Sequence, residues 1–327
     1  MSGSSVSVNY NIRPCKSIER RMMCEMISRL VAFDQICNYR YIGMGAKYFV
    51  DFSLFHKEFG INEMYSMEIN SDKKNKERFE FNKPFNCINM MFGKASDILN
   101  SSRLKWNNKK NIIWLDYDGG ITGEQLQDVE NCVGKVDSGS VIFISFNSDL
   151  GNEFQQKSPN EKLKMYCSRI DNEALVKCIK PKDMSKEKIY QTTNKMFDMV
   201  VRNKILERNR TILSENEKYQ CQQLVYFKYN DSKAIMLTMG WILYKNKDAK
   251  KYANCNFSEL EFYNDSYTPY DITVPNFTYK ELTVLNRNMP NITYPIKEAQ
   301  FLLKEEIETY QKIYRYYPAI FETSVVL

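Results

Sequence analysis

Residues 41–68, YIGMGAKYFVDFSLFHKEFGINEMYSME, decide the fold of this chain. An apolar run ends at Ile42, and a turn of small residues follows at positions 43–46. A helical pattern then leads to Gly60, and a second apolar run ends in an acid, Glu68. The order strand, glycine turn, helix, strand and acid is typical of half-domains that hold an adenosine-containing cofactor in a parallel sheet.

The same alternation of strand and helix patterns continues in both directions from this stretch. Apolar runs that are continuous rather than alternating indicate strands buried on both faces. The sequence therefore predicts an α/β fold with a doubly wound, mostly parallel, seven-stranded sheet that ends in an antiparallel hairpin. The predicted strands cover residues 38–42, 63–69, 87–91, 112–115, 141–146, 224–229 and 234–244, and the predicted helices of this part cover residues 17–33, 47–59, 73–81 and 126–133.

Changes in composition divide the chain into three parts. Residues 1–37 are expected to form an N-terminal arm, polar up to residue 14, and a helix with Ser17 as its N-cap. Residues 38–245 are expected to form the cofactor-binding domain, interrupted by a polar, Lys-rich helical insertion at about 150–220. Residues 246–327 are expected to form a small C-terminal appendage with helices near 279–285 and 296–316.

Composition excludes several classes of protein. The chain has 327 residues, of which 43% are hydrophobic, so a large core can form. The chain has nine Cys without a paired spacing and a single His, His56, which argues against a zinc site. The single His also argues against most catalytic triads. The unpaired Cys favour free thiols in a reducing compartment. No apolar run reaches the length of a membrane span, so we expect a soluble cytoplasmic protein that does not bind a membrane.

Three cofactor types compete for the glycine turn. A nucleoside triphosphate requires a GxxxxGK[ST] loop, which the sequence lacks. A dinucleotide requires a third glycine close to its pyrophosphate, but Tyr48 stands there. S-adenosylmethionine carries no phosphate, so Gly43 and Gly45 suffice for the turn. Its ribose hydroxyls need an acid after the second strand, Glu68, and its adenine amino group needs one after the third, Asp97.

These motifs, in this order, resemble the class I S-adenosylmethionine-dependent methyltransferases over roughly residues 38–245. The resemblance rests on YIGMGAKYFVDF, YSMEIN, GKASDIL and WLDYDGG, and on the terminal hairpin. It departs from the family pattern in a glycine turn that is GxG rather than GxGxG. The resemblance implies S-adenosylmethionine as the cofactor, held by Gly43, Gly45, Glu68, Asp97 and Asp116, and a methyl-transfer reaction.

The predicted catalytic residues follow the fourth and fifth strands, where ligands bind in doubly wound sheets. They are Asp116, Asp118 and Asn147, which can orient an acceptor or remove its proton. No proline follows the fourth strand, which disfavours amino-methylases of nucleobases and leaves O-methylation favoured. Asp116-x-Asp118 is also similar to the acidic motif of metal-dependent small-molecule O-methyltransferases. In those enzymes an Asp precedes the Asn that corresponds to Asn147, but here that position is Phe146. We therefore predict no metal site unless Asp149 replaces the missing ligand.

The methyl acceptor cannot be read from the sequence, and two alternatives to a small-molecule enzyme stay open. Short basic clusters and a Tyr-rich C-terminal region suggest a nucleic-acid-directed methyltransferase. An incomplete glycine pattern suggests a non-catalytic subunit of a larger assembly. The charged segment 13–21 either closes over the cofactor, presents cations to an anionic substrate, or forms a solvated helix start, which is the interpretation that the sequence favours.

Overall fold

A computed structural model describes residues 13–106, 109–148, 151–177, 179–185, 188–231 and 234–318. Most of the predicted arm therefore lies outside the described residues. The strands are β1 (Arg40–Gly43), β2 (Glu63–Glu68), β3 (Ile88–Phe92), β4 (Asn111–Gly120), β5 (Ser140–Asn147), β6 (Tyr219–Asp231), β7 (Ala234–Lys245) and β8 (Tyr270–Ile272). The helices are α1 (Pro14–Ser28), α2 (Val50–Phe59), α3 (Lys73–Asn82), α4 (Ala95–Leu99), α5 (Gly123–Lys135), α6 (Asn152–Gln155), α7 (Pro159–Ile170), α8 (Glu173–Val176), α9 (Lys188–Asn209), α10 (Ala249–Asn254), α11 (Tyr279–Asn288) and α12 (Lys304–Ile313).

The sheet confirms the predicted doubly wound topology. Its strand order is β3-β2-β1-β4-β5-β7-β6-β8, with β1 to β5 parallel to one another and β7 antiparallel to both β5 and β6. The strand order reverses between β1 and β4, and a reversal of this kind opens a crevice at the carboxyl ends of the strands. The fold therefore places a binding site where the glycine turn and the acids of β2 and β4 meet.

The core lies on both faces of the sheet. On β4, Ile112 and Trp114 belong to one cluster of buried side chains, and Ile113 and Leu115 belong to the other. Alternate residues of a strand point to opposite faces, so β4 is buried on both sides, as its continuous apolar run predicted. The N-terminal helix α1 packs in the first cluster, and α5 and α9 pack in the second.

The C-terminal segment contributes an eighth strand beyond the seven that we predicted. β8 pairs in parallel with the edge strand β6, with Tyr270 opposite Phe227 and Ile272 opposite Tyr229. Three residues are too few to give a recognisable alternation, so the sequence alone does not reveal this strand. Residues 270–272 are thus part of the sheet rather than of a separate appendage.

Two helix starts differ from the predictions. α1 begins at Pro14, with Arg13 in the N-cap position, so the prediction of Ser17 as N-cap is wrong. Proline suits the first helical position because its missing N–H has no partner there in any case. α2 begins at Val50 rather than residue 47, because Ala46 and Phe49 adopt left-handed backbone conformations with φ of 44° and 49°. These residues extend the glycine turn and delay the helix.

Candidate functional site

A cavity of about 230 Å³ opens at the carboxyl ends of β1, β2 and β4. We call it the cofactor cavity. Its floor is the glycine turn, and its walls come from β2, β4, α1 and α2. The lining residues are Arg20, Met44, Gly45, Ala46, Val50, Asp51, Met67, Glu68, Ile69, Asn70, Gly93, Ala95, Asp116, Tyr117 and Asp118. The topology alone predicts a ligand site at this position, and polar and apolar groups converge there.

The glycine turn is too tight for any side chain. A Cβ on Gly45 would lie 2.6 Å from Cδ1 of Phe49 and 2.9 Å from Oγ of Ser66. The backbone N–H of Gly45 donates a hydrogen bond to that same Ser66 hydroxyl at 3.1 Å. A Cβ on Gly43 would lie 2.5 Å from the Tyr41 hydroxyl. The two glycines therefore let the turn pass close under the cavity, with Gly45 in its wall and Gly43 buried in β1 behind it.

Glu68 stands at the end of β2 with its carboxylate held in place. Its Oε1 accepts hydrogen bonds from the backbone N–H and from the side-chain amide of Asn70, both at 2.9 Å. Burial raises the pKa of Glu68, and the two hydrogen bonds from Asn70 offset part of that rise. A buried carboxylate at this point can accept hydrogen bonds from a pair of vicinal hydroxyls.

Asp116 and Asp118 stand on the part of β4 that extends past its pairing with β1, and both line the cavity. Asp116 Oδ1 accepts from Nζ of Lys16 at 3.0 Å. Between the two acids, the Tyr117 hydroxyl donates to Asp128 Oδ2 of α5 at 2.7 Å. Burial raises the pKa of Tyr117, so its hydroxyl stays protonated and keeps donating. This bond ties the acidic end of β4 to a helix.

A cluster of buried charges lies beneath this wall. Nζ of Lys16 lies 2.9 Å from Oε2 of Glu19, 3.0 Å from Oδ1 of Asp116 and 4.5 Å from the centre of the Trp114 ring. Burial alone would lower the pKa of Lys16, but the carboxylates of Asp116 and Glu19 hold it well above its usual value. Glu19 also accepts from the hydroxyls of Tyr229, at 3.0 Å, and Thr238. We call Lys16, Glu19 and Asp116 the buried triad.

The buried triad corrects one interpretation of the sequence. Lys16, Glu19 and Arg20 are at most 5% exposed, so the segment 13–21 is not a solvated helix start. Lys16, Glu19 and Arg20 have the i, i+3, i+4 spacing that places them on one face of α1. Met23 continues that face and is fully buried. This spacing, which was visible in the sequence, is the signal that could have placed these charges against the protein interior.

Arg20 brings a positive charge to the cofactor cavity. Its Nε donates to Oδ1 of Asp51, a residue in the first turn of α2, and both side chains line the cavity. Burial alone would lower the pKa of Arg20, but the Asp51 carboxylate raises it above its usual value. The wall therefore presents a guanidinium near the glycine turn and the carboxylates of Asp116 and Asp118 across from it.

Besides Gly43, two further predicted site residues, Asp97 and Asn147, lie outside the cavity lining. Asp97 is in the first turn of α4, whose neighbours Gly93 and Ala95 do line the cavity. Asn147 ends β5, in register with Gly120 of β4 and Met236 of β7. Their roles in binding adenine and in orienting an acceptor stay predictions. Asp149, considered as a replacement metal ligand, lies outside the described residues, and the described ranges hold no group of three or more His, Cys, Asp and Glu placed to bind a metal.

The sequence model of one protein family matches residues 8–325, nearly the whole chain, and that family is described as "Putative O-methyltransferase". The chain belongs to this family. The family agrees with the methyltransferase that the ordered motifs predicted, for which S-adenosylmethionine is the expected cofactor. The tight glycine turn and the Glu68 carboxylate fit that cofactor, because the turn leaves no room for a side chain and the carboxylate suits a ribose.

Solved structures resemble the chain at low sequence identity, and no curated protein matches it. The O-methyltransferase from Bacillus cereus in complex with SAH is 11% identical with a TM-score of 0.36, and the match covers 73% of this chain and 86% of that one. TYW2 of P. horikoshii in complex with MeSAdo is 11% identical with a TM-score of 0.38, covering 73% and 66%. LepI in complex with SAH and a substrate analogue is 8% identical with a TM-score of 0.33, and the chain spans 43% of its length.

The described part of the chain contains no helix that is long and apolar enough to cross a membrane. The cysteines that the structure describes are free thiols, as their spacing predicted.

Proposed function

We propose that the protein transfers the methyl group of S-adenosylmethionine to a hydroxyl oxygen of its acceptor, and that the cofactor binds in the cofactor cavity. The observation that carries this proposal is the convergence of Gly45, Glu68 and Asp116 on one cavity at the carboxyl ends of β1, β2 and β4. When bound, the cofactor supplies a sulfonium methyl group. The remaining work, binding and orienting both partners and holding the acceptor's proton, falls to the residues of this chain.

The charges of the cavity wall suit the methionyl end of the cofactor, which carries an ammonium and a carboxylate. Asp116 supplies a carboxylate for the ammonium, and the Lys16 ammonium 3.0 Å away fixes its orientation. Arg20, which lines the cavity and is held by Asp51, supplies a cation for the carboxylate. Glu68 accepts from the ribose hydroxyls. The chain thereby binds both ends of the cofactor by complementary charge and hydrogen bonds.

Asp118 is the residue that we assign to the acceptor's proton. It lines the cavity two positions beyond Asp116, on the part of β4 that extends past its pairing with β1. A carboxylate that holds the proton of a hydroxyl makes the oxygen a better nucleophile as the methyl group arrives, an effect of roughly 10²- to 10⁴-fold for general bases. Oxygen is favoured as the acceptor atom because the family is one of O-methyltransferases and no proline follows β4.

The test is transfer of tritiated methyl from S-adenosylmethionine to a whole lysate of the source cells, which is afterwards separated into small-molecule, nucleic-acid and protein fractions. We expect label in products with the chemistry of methyl ethers or esters, and at least a hundredfold lower rate in Asp118→Asn. The matched control is Asp171→Asn, which changes an exposed Asp at the end of α7 and should keep the wild-type rate. Label that enters only nucleic acid or protein, or equal rates in the two variants, would contradict the proposal.

A further inference from the structure

A second and larger cavity, of about 840 Å³, lies beyond α1 at the hairpin end of the sheet. We call it the hairpin cavity. It is bounded by β8 and the residues on both sides of that strand, by the first turn of α9, by the end of β6 and by the start of α1. Its lining residues are Cys15, Tyr190, Gln191, Lys228, Tyr229, Asn230, Ile235, Thr268, Pro269, Asp271, Ile272, Thr273 and Val274. A volume in this range is typical of small-molecule sites.

The hairpin cavity opens at the same edge of the sheet as the cofactor cavity. Asp116 lies opposite Ser145, Ser145 opposite Thr238, and Thr238 opposite Phe227. β6 is antiparallel to β7 and therefore runs in the same direction as β4. Tyr229, two residues past Phe227, thus lies at the carboxyl edge, three strand spacings or about 14 Å from Asp116 along the sheet.

The first turns of α1 separate the two cavities and touch both. Cys15 lines the hairpin cavity and Arg20 lines the cofactor cavity. Five residues of helix rise about 7.5 Å, so Cys15 and Arg20 lie about that far apart along the helix axis. Between the cavities runs a continuous chain of polar contacts: Tyr229 donates to Glu19 at 3.0 Å, and Lys16 joins Glu19 and Asp116. The buried triad is therefore the wall that the two cavities share.

The lining of the hairpin cavity indicates the chemistry of its occupant. Among the described lining residues, the charged side chains are Lys228 and Asp271, and they pair with each other at 2.6 Å, so their charges balance. Tyr190, which is half-buried, supplies aromatic surface, and Gln191 and the neighbouring amide and hydroxyl side chains supply hydrogen-bonding groups. Planar rings stack favourably on aromatic side chains. A neutral, hydroxylated aromatic compound fits this combination.

We propose that the hairpin cavity binds the methyl acceptor, a neutral hydroxylated aromatic compound. This rests on the proposed O-methyltransferase function. The aromatic body of the acceptor sits against Tyr190, and its reacting hydroxyl extends past α1 to Asp118. Because the lining residues Cys15 and Arg20 are about 7.5 Å apart along α1, an acceptor that reaches from one cavity to the other is longer than a single ring.

The experiment measures 2-naphthol binding by its fluorescence, in the absence and in the presence of saturating S-adenosylhomocysteine. 2-Naphthol is a neutral hydroxylated aromatic at pH 7, and 2-naphthoate is its anionic counterpart. We expect 2-naphthol to bind with and without S-adenosylhomocysteine and 2-naphthoate to bind at least about fivefold more weakly, since Lys228, the cation in the described lining, is already paired with Asp271. Tyr190→Ala should weaken 2-naphthol about tenfold, and Tyr190→Phe, which keeps the ring, should not.

Two controls give each outcome a meaning. Tyr279→Ala removes a ring that is 78% exposed on α11 and should leave 2-naphthol binding unchanged. 2-Naphthol should also slow alkylation of Cys15 by iodoacetamide without slowing that of the exposed Cys37. Absent 2-naphthol binding, binding unaffected by Tyr190→Ala, or competition by S-adenosylhomocysteine would overturn the hairpin cavity as the acceptor site. Loss of S-adenosylhomocysteine binding to the wild-type protein would instead overturn the proposed function.

Discussion

Replacing Lys16 by Met tests whether the buried triad holds α1 to the sheet. Methionine keeps the length of the side chain and removes its charge. Glu19, which is fully buried, and Asp116 then lose the ammonium that lies 2.9 and 3.0 Å from them. Breaking a buried ion pair by removing one partner costs about 3–5 kcal/mol. In a chain of 327 residues, this corresponds to a fall in Tm of about 6–10 °C, at about 2 °C per kcal/mol.

The loss of stability should also depend on pH. Burial already raises the pKa of Glu19, and Lys16 opposes that rise. In Lys16→Met, the pKa of Glu19 in the folded protein rises further. A group whose pKa is higher in the folded than in the unfolded protein stabilises the fold at pH values below its unfolded pKa. It loses that contribution as the pH rises through its folded pKa. The deficit relative to wild type should therefore be large at pH 8 and shrink towards pH 5.

The assay is urea and thermal unfolding of wild type and variant, followed by circular dichroism at pH 8 and pH 5.5. Lys73→Met is the matched control, because the Lys73 side chain is 92% exposed and lies 4.0 Å from the carboxylate of Glu77. Surface pairs of this kind contribute little, so the control should unfold like the wild type. The reasoning is refuted if Lys16→Met is no less stable than Lys73→Met, or if its deficit is the same at both pH values.

Three further predictions concern the cofactor cavity. S-adenosylhomocysteine binding should weaken as pH falls through the acidic range just above the usual pKa of Glu. Burial raises the pKa of Glu68, and the protonated carboxyl has lost one hydrogen-bond acceptor. Calorimetry on Glu68→Gln should show no such dependence on pH. Gly45→Ala should lower stability by about 1–3 kcal/mol and weaken cofactor binding, since its Cβ meets Phe49 at 2.6 Å. Gly119→Ala, whose Cβ meets nothing within 4 Å, is the control, and equal unfolding curves would count against the steric argument. Tyr117→Phe should lower stability by about 1–3 kcal/mol at neutral pH, because it removes the hydrogen bond to Asp128. The loss should be smaller in acid, where Asp128 is protonated. A loss that is independent of pH would show that the hydrogen bond to the Asp128 carboxylate is not its cause.

The element order of the fold could be predicted from sequence because its signals are local. The glycine turn, Glu68 and the continuous apolar runs of β4 and β5 each lie within a few residues, and the structure contains all the predicted strands. The predicted acids Glu68, Asp116 and Asp118 do meet in one cavity. In a parallel sheet the carboxyl ends of neighbouring strands lie at the same edge, so the proximity of these three acids follows from the topology of the sheet.

The buried charges could not be predicted with the same certainty, because their partners are distant in sequence. Lys16 is 100 residues from Asp116, and Glu19 is 210 residues from Tyr229. A charged segment that is adjacent to an apolar stripe ordinarily faces solvent. The spacing of Lys16, Glu19 and Arg20 places them on one face of α1, but their partners across the sheet, which the sequence does not reveal, are what show that this face is buried. The hairpin cavity was missed for a related reason, since β8 is three residues long and joins β6 from a segment that carries no strand pattern.

Titration calorimetry with S-adenosylhomocysteine tests the central claim most directly, because it needs no knowledge of the acceptor. We predict one binding site per chain in the wild-type protein. Glu68→Ala, which removes the ribose acceptor from the end of β2, should bind at least about tenfold more weakly, a loss of about 1.4 kcal/mol. A folded wild-type protein that gives no binding heat with either S-adenosylhomocysteine or S-adenosylmethionine, or a Glu68→Ala variant of unchanged affinity, would contradict the account.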